Sequence, residues 1–388
     1  MRRKSLSYQI ITISIVTTAI FLYATDHPLQ GAETVLNAAP KYLGAVSCAS
    51  SGCHGGGGHH QNQFLVWSLR DFHSQRPFAT LTTARSKQIA DALQIKDPAA
   101  DNRCTSCHSP LHEVPAALRG AAFKVSEAVS CESCHGPSEH WLRSHTRPDY
   151  SHADRTAAGM RDLRNLYVRA NTCIACHQIV PLPLLRAGHP ELIFELDGQS
   201  VSEPKHWREK TNWHGAQAWL VGQAAALREM SWQLATSIRH NPDEKLTGRA
   251  NALFWLLQKL DEANRGLPPT LRLNGPSNNP PDYSALHSAA DKLARSAAEI
   301  NWSAEMTSTF LATLAKTGPD FRTELPAQQH ALRAERLVLA LDRLLASTTR
   351  TSADVRLNDL FKLTQSLPDF DPARFSAALD EFARTVDK

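Results

Sequence analysis

From Trp207 to the carboxyl end, Ala and Leu recur at three- and four-residue spacing between charged positions, the pattern of amphipathic helices with one buried face. The spacing predicts helices over Gly215 to Arg239, Thr247 to Asn264, Ser284 to Ile300, Ala304 to Ala315, Pro326 to Ser347 and Pro372 to Val386, with a shorter one near Val355 to Leu363. Leucines 337, 341, 344 and 345 form one stripe, which reads as core packing. Breaks are expected at Leu267-Pro-Pro269, Pro276 to Pro281, Gly318-Pro319 and Pro368.

The earlier part of the chain is patterned differently. Helical spacing of large apolar groups appears at Phe64, Trp67 and Phe72, running on to His73, but Gly55 to Gly58, Pro110, Pro115, Gly136-Pro137 and Gly188-His189-Pro190 cut the chain into short pieces. A new helix is expected to begin at Ser138. At the amino end, a basic Met1 to Lys4 precedes a mostly apolar run from Tyr8 to Ala24. Residues 1–25 are therefore expected to be a signal peptide or an N-terminal membrane anchor. Leu22-Tyr23-Ala24 matches a small-x-small cleavage site poorly, so cleavage and retention stay open.

Composition adds a folded chain of 388 residues with a formal net charge of +4. With both signs interspersed, that charge gives no reason to invoke nucleic acid. The eight cysteines change the picture more, because all of them fall between Cys48 and Cys176 in four pairs. Each pair ends in a histidine: Cys48 and Cys53 with His54, Cys104 and Cys107 with His108, Cys131 and Cys134 with His135, Cys173 and Cys176 with His177. Cys-x-x-Cys-His is the attachment signature of haem c, in which two thiols bind the porphyrin and the histidine is the proximal iron ligand. Zinc ribbons and disulfide scaffolds also pair cysteines, yet neither needs that histidine. Histidine is 18 of 388 residues, so its presence after all four pairs has a chance probability of about five in a million. The first pair has four intervening residues, and Ser50-Ser51-Gly52 is small enough to let that longer bridge bulge. Four covalently attached haems within 130 residues leave too little polypeptide to isolate each one, so close packing and electron transfer are expected.

Histidines outside the motifs decide the sixth ligands. His73, on an apolar aromatic stretch, is a candidate, as are His140 or, alternatively, His145 after the third motif, and His189 in its Gly-Pro turn. His112 is four residues past His108 and on one helix would lie on the same side, so it cannot face His108 across an iron. His59 and His60, on a glycine tether, and His206 and His214, at the junction with the helical region, are more readily surface residues.

The order of Tyr42-Leu-Gly44, Trp67-Ser68-x-x-x-x-His73, Cys131-Glu-Ser-Cys134-His135-Gly-Pro followed by histidine, and His189 twelve residues past His177 resembles the cytochrome c-554 family of tetrahaem cytochromes, over roughly residues 42 to 195. The resemblance implies distal ligands exchanged between sites. Carried over, His73 would serve the third haem, His140 or His145 the first and His189 the fourth, leaving the second without a protein ligand.

The expected fold is mainly α: a multihaem cytochrome c domain with irregular haem-binding loops over 42–206, after a linker at 26–41, followed by a C-terminal helical bundle or extension over 207–388. The expected function is single-electron relay between redox partner proteins in the periplasm, by a protein either soluble after cleavage or tethered to the membrane. Two alternatives stand beside it. One is a haem enzyme acting on a small nitrogen or sulfur species at a five-coordinate second haem, with Arg103, Lys124 and Glu132 as its charged sequence neighbours. The other is an electron-transfer subunit docked to a larger complex by its C-terminal helices.

Overall fold

The computed structural model of the protein describes residues 39–178, 180–209, 213–237, 244–262, 269–275, 281–348, 353–365 and 369–386. The expected export segment, the linker as far as residue 38 and the breaks at 267–268, 276–280 and 368 lie outside these residues.

Among the described residues the secondary structure is helical, with only two isolated β-bridges, Tyr42 to Arg119 and Ser74 to Ala128. The first half carries short helices: α1 Gln63–Arg70, α2 Arg76–Thr80, α3 Ala84–Ala92, α4 Asn102–His108, α5 Cys131–His135, α6 His152–Ala157, α7 Leu166–His177, α8 Leu182–Arg186 and α9 Leu196–Ser202. The second half carries longer ones: α10 Gly215–Ser237, α11 Glu244–Glu262, α12 Tyr283–Glu299, α13 Ala304–Ala315, α14 Ala327–Ala346, α15 Asp354–Thr364 and α16 Pro372–Val386. Each of these seven falls where periodicity placed it, within a few residues at its ends.

Helix α10 is the centre of the helical half. Its residues Ala216, Ala218, Trp219, Leu220, Val221, Ala224, Ala225, Leu227, Met230 and Leu234 are all buried, so it is apolar around most of its circumference, as a helix surrounded by others must be. It packs on α12, α9, α11, α7 and α14. Alanine and glycine allow the closest of these approaches: a Cβ on Gly222 would stand 2.7 Å from the Cβ of Leu196. The predicted stripe on α14 is core, with Leu337, Leu341, Leu344 and Leu345 all buried.

This core reaches into the cysteine-rich half. Leu166, Ala170 and Ile174 of α7 belong to the same hydrophobic cluster as α10 and α12. A polar clamp reinforces the seam: Arg228 of α10 donates to Asn171 at 2.6 Å on α7 and to Asp291 at 2.9 Å on α12, and Tyr167 of α7 donates to Asp291 at 2.6 Å. Burial pushes the Asp291 carboxyl up, but hydrogen bonds from Tyr167, Arg295 and Arg228 outweigh it and hold the group at about 2. The described residues from Pro40 onward accordingly pack as one compact unit.

Two local expectations change. Helix α1 stops at Arg70 because Asp71 takes an extended conformation and its carboxylate accepts the backbone N–H of His73 at 2.8 Å, so His73 sits in a turn rather than on the helix. No α-helix starts at Ser138 either; turns lead to a 3-10 turn at Ser144–Thr146.

Candidate haem-binding sites

The last three motifs sit on helices that end on their own histidine: α4, α5 and α7. A helical Cys-x-x-Cys-His places both sulfurs and the ring on neighbouring positions of one face. Caps fix where these helices begin. Asp101 accepts from the N–H of Arg103, Ser130 forms a capping box with Ser133, and Asn165 accepts from Tyr167 and Val168. The first motif is not a helix. Its longer bridge closes as a turn, in which the His54 N–H donates to the Cys48 carbonyl at 3.2 Å and the Cys53 N–H to the Ser50 carbonyl at 2.9 Å.

All eight cysteines are free thiols. Among the described residues the group of three or more possible ligands within 4.8 Å of one another is Asp71, Glu203 and His206, and no thiol belongs to it. That is not the tetrahedral thiolate set of a zinc ribbon. Thiols of different motifs act on one another: Cys131 lowers the Cys48 thiol, and Cys176 brings the Cys107 thiol down to about 7. Burial pushes Cys134 up to about 12 and Cys173 up to about 11.

Three imidazole pairs are the clearest feature. Ring centres are 6.0 Å apart for His54 and His145, 6.0 Å for His73 and His177, and 6.3 Å for His108 and His189. Two imidazoles bound to one metal from opposite sides, each through a nitrogen about 2 Å from it, have ring centres roughly 6 Å apart. The spacing is too wide for ring stacking contact and matches a shared metal.

The other ring nitrogen is tied down in each case. Nδ1 of His54 pairs with Gln63 Oε1 at 2.8 Å, that of His145 with the Trp141 carbonyl at 3.1 Å, and that of His108 with the Pro77 carbonyl at 2.6 Å. In His189 it meets the Pro190 carbonyl at 2.7 Å, and in His73 the carboxylates of Asp71 at 3.1 Å and Glu203 at 3.4 Å. Gln199 lies 3.4 Å from Nδ1 of His177, and its amide oxygen, buried and otherwise unpartnered, is the natural acceptor when turned to the ring. An acceptor at Nδ1 holds the proton there and leaves Nε2 as a lone-pair donor, the tautomer a metal ligand needs. Burial pushes His108, His145 and His177 down and favours the neutral ring. His73 is the exception, because Asp71 and Glu203 push its imidazolium up to about 10.

The pairing of rings differs from the pairing expected of the ligands. His73 faces His177 of the fourth motif and not His135 of the third; His189 faces His108 of the second and not His177. The first motif faces His145, while His140 is exposed. The reason lies in the turn that replaced the expected helix at Ser138: Trp141 is buried and packs edge-on against His145 at 5.5 Å, which turns His145 inward and leaves His140 outside. His112 pairs with Glu113 at 2.8 Å. The second site, expected to lack a protein ligand, has an imidazole opposite its own.

Glu132, considered for a role over an open iron, is structural. It is buried, and its two oxygens accept the N–H groups of Leu43 at 2.9 Å, Gly44 at 2.7 Å and Ser138 at 2.8 Å. One carboxylate thus joins the lead into the first motif to the helix of the third, which explains physically why Tyr42-Leu-Gly44 and Cys131-Glu-Ser-Cys134 occur together. Gly44 is required there, with φ of 88° and the Ala122 carbonyl where a Cβ would go. Arg103 is bound to Asp101 on the surface. Trp67 adds a second tie, donating to the Val129 carbonyl at 3.1 Å. Arg161 adds a third, donating to the carbonyls of Ser133 at 2.7 Å and Cys134 at 2.9 Å.

Apolar surface remains around the motifs. Val46, Leu69 and Phe72 are exposed, and a cavity of about 400 Å³ opens among Ala45, Val46, Phe64, Trp67 and Phe78. Paired rings, free thiols beside them and uncovered apolar walls suit a porphyrin attached at its edge. The tethers Gln63, Pro77, Gln199 and Glu203 carry no motif of their own and could not be picked out from the sequence.

Residues 48–136 match the family model described as cytochrome c554 and c-prime. The matched segment spans the first three motifs and supports a cytochrome c554-like assignment, a family of c-type cytochromes in electron transfer that hold haem covalently. No curated protein and no solved structure matches the chain.

Proposed function

We propose that this chain, cytochrome c554-like over residues 48–136, is an exported protein that carries four haem c groups and passes single electrons between redox partners. The observation that carries the reading is the set of three imidazole pairs at 6.0 to 6.3 Å. When bound, haem c supplies one-electron exchange at its iron, and a second imidazole favours the low-spin state that changes little between oxidation states.

The residues of the chain do the holding and orienting. Cys48, Cys53, Cys104, Cys107, Cys131, Cys134, Cys173 and Cys176 attach the four porphyrins. His54, His108, His135 and His177 are the proximal ligands; His145, His189 and His73 stand opposite the first, second and fourth of them. Contacts between motifs support neighbouring sites: Glu132 of the third motif binds the Gly44 N–H ahead of the first, and the Cys176 thiol of the fourth reaches the Ser106 carbonyl of the second at 4.0 Å. Neighbouring sites suit relay better than catalysis. His189 opposite His108 also favours relay over the enzyme alternative, which depended on an open second site.

Export to the periplasm rests on residues 1–25, whether cleaved or kept as an anchor. No helix among the described residues is long and apolar enough to cross a membrane. The test is a haem-to-protein ratio on the purified protein, paired with mass spectrometry after thiol alkylation. Four haems per chain and no alkylated cysteine are expected. Two or three haems, with a pair of free thiols at one motif, would remove that motif from the relay.

A further inference from the structure

Of the six paired imidazoles, one is tied differently from the rest. In five of them Nδ1 meets a neutral group: Gln63, the carbonyls of Trp141, Pro77 and Pro190, or Gln199. His73 meets carboxylates instead, Asp71 at 3.1 Å and Glu203 at 3.4 Å. We propose that Asp71 and Glu203 are positioning residues that act through His73 and make the fourth site, His73 with His177, the one of lowest reduction potential in the series. This inference rests on the four-haem relay reading.

Elementary electrostatics gives the sign. A carboxylate that accepts the Nδ1 proton raises the basicity of Nε2 on the far side of the ring, and a charge-assisted bond is roughly twice as strong as one to a neutral acceptor. A more basic ligand and a nearby negative charge both favour Fe(III) over Fe(II), which carries one positive charge fewer. The fourth site is therefore the last to accept an electron and the first to give it up. Electrons run downhill from it to the other three.

The two carboxylates are held by the fold. Asp71 is 4 % exposed, and its Oδ1 also accepts the His73 backbone N–H at 2.8 Å, so the turn that ends α1 fixes the anion and the ring together. Glu203 arrives from elsewhere in the chain, as the C-terminal cap of α9. Gln199, one helical turn earlier, is the residue that lies against Nδ1 of His177. One end of α9 thus touches both rings of the fourth site and gives an anion to one of them. Glu132 is also buried among the motifs, but its oxygens are taken by the backbone N–H groups of Leu43, Gly44 and Ser138.

Spectroelectrochemical titration of the fully loaded protein tests the proposal, with a haem count and electron paramagnetic resonance on the same sample. A chelator in the buffer keeps stray cations off the carboxylates. Asp71→Asn and Glu203→Gln each keep an acceptor oxygen and remove the charge. Each should raise the lowest of the four potentials, shifting electron sharing toward that site about tenfold, or about 59 mV for a one-electron couple. The number of low-spin irons should not change. Asp71→Glu, which keeps the charge, should stay near the natural value. The converse variant, Gln63→Glu, sets a carboxylate at Nδ1 of His54 and should lower a different potential, that of the first site. If Asp71→Asn fails to load haem, Glu203→Gln, at a partly exposed side chain, carries the same test. Four haems with unaltered potentials in the charge-removing variants overturn this inference and leave the relay reading standing. A new high-spin iron in Glu203→Gln also overturns it, because the carboxylate would then merely hold the ring in place. A count below four strikes the relay reading, and this inference falls with it.

Discussion

The two halves of this molecule are stabilised by different means. Residues 213–386 bury a continuous apolar core around α10, with Trp219, Leu227, Phe310, Leu341, Phe375 and Phe382 fully enclosed. In residues 39–165 the buried apolar side chains are few and scattered, among them Trp67, Leu81, Ile89, Ile95 and Trp141. The chain there is joined by polar ties such as Glu132, Arg161 and the Trp67 indole. A half that leaves Val46, Leu69 and Phe72 exposed awaits a hydrophobic partner of its own, and four porphyrins would supply it. The helical half needs none. Its second task is to hold α7, and with it the fourth motif, through Arg228 and the shared core.

The largest expected effect comes from withholding haem. Chain produced without attachment should be cleaved readily by protease throughout residues 40–160, while fragments containing α10 to α16 survive; equal resistance of both halves would abolish the contrast. Next in size, Leu341→Ala in the fully buried stripe of α14 should cost about 2–5 kcal/mol of stability through loss of transfer energy and the cavity left behind. It should leave the haem spectrum unchanged, and a shifted Soret band would mean the two halves are more tightly coupled than drawn.

Glu132→Gln replaces one acceptor oxygen with an amino group facing backbone N–H donors, at a cost of about 1.5–3 kcal/mol. Unlike Leu341→Ala, it should disturb the first and third sites, read as a change in their reduction potentials during spectroelectrochemical titration. Unaltered potentials would reduce Glu132 to a local cap.

The smallest effect is expected at the seam. Glu195 caps α9, accepting from the N–H groups of Asp197 and Gly198, and burial pushes its carboxyl up to about 7. A folded-state value raised above the unfolded one makes its contribution fullest below about pH 4.3 and lost as pH rises through about 7. Urea midpoints of the natural chain should fall between pH 5 and 8, and Glu195→Gln should flatten that fall by on the order of 1–2 kcal/mol. Parallel curves for the two proteins would refute the assignment.

Much of the helical half was legible because amphipathic spacing is a local signal: α13 and α16 begin and end where the pattern placed them, and the stripe on α14 is buried. The four cysteine-histidine motifs were legible for a different reason, since the residues of each lie within seven positions of one another. The partners of those histidines were not. His73 and His177 are 104 positions apart and His54 and His145 are 91 apart, and no periodicity links such pairs. His140 and His145 illustrate the limit, because both follow the third motif at short range and only the burial of Trp141 selects between them.

By itself, then, the sequence determined the positions of the cysteine-histidine motifs and of the seven long helices, because each depends on residues within one or two turns of one another. Tertiary structure decided which imidazole faces which, that Glu132 binds two motif leads together, and that α7 belongs to the helical core. Those outcomes depend on how turns at Asp71, Ser138 and Gly188 direct the chain in space, and direction accumulates over many residues that carry no signal of their own.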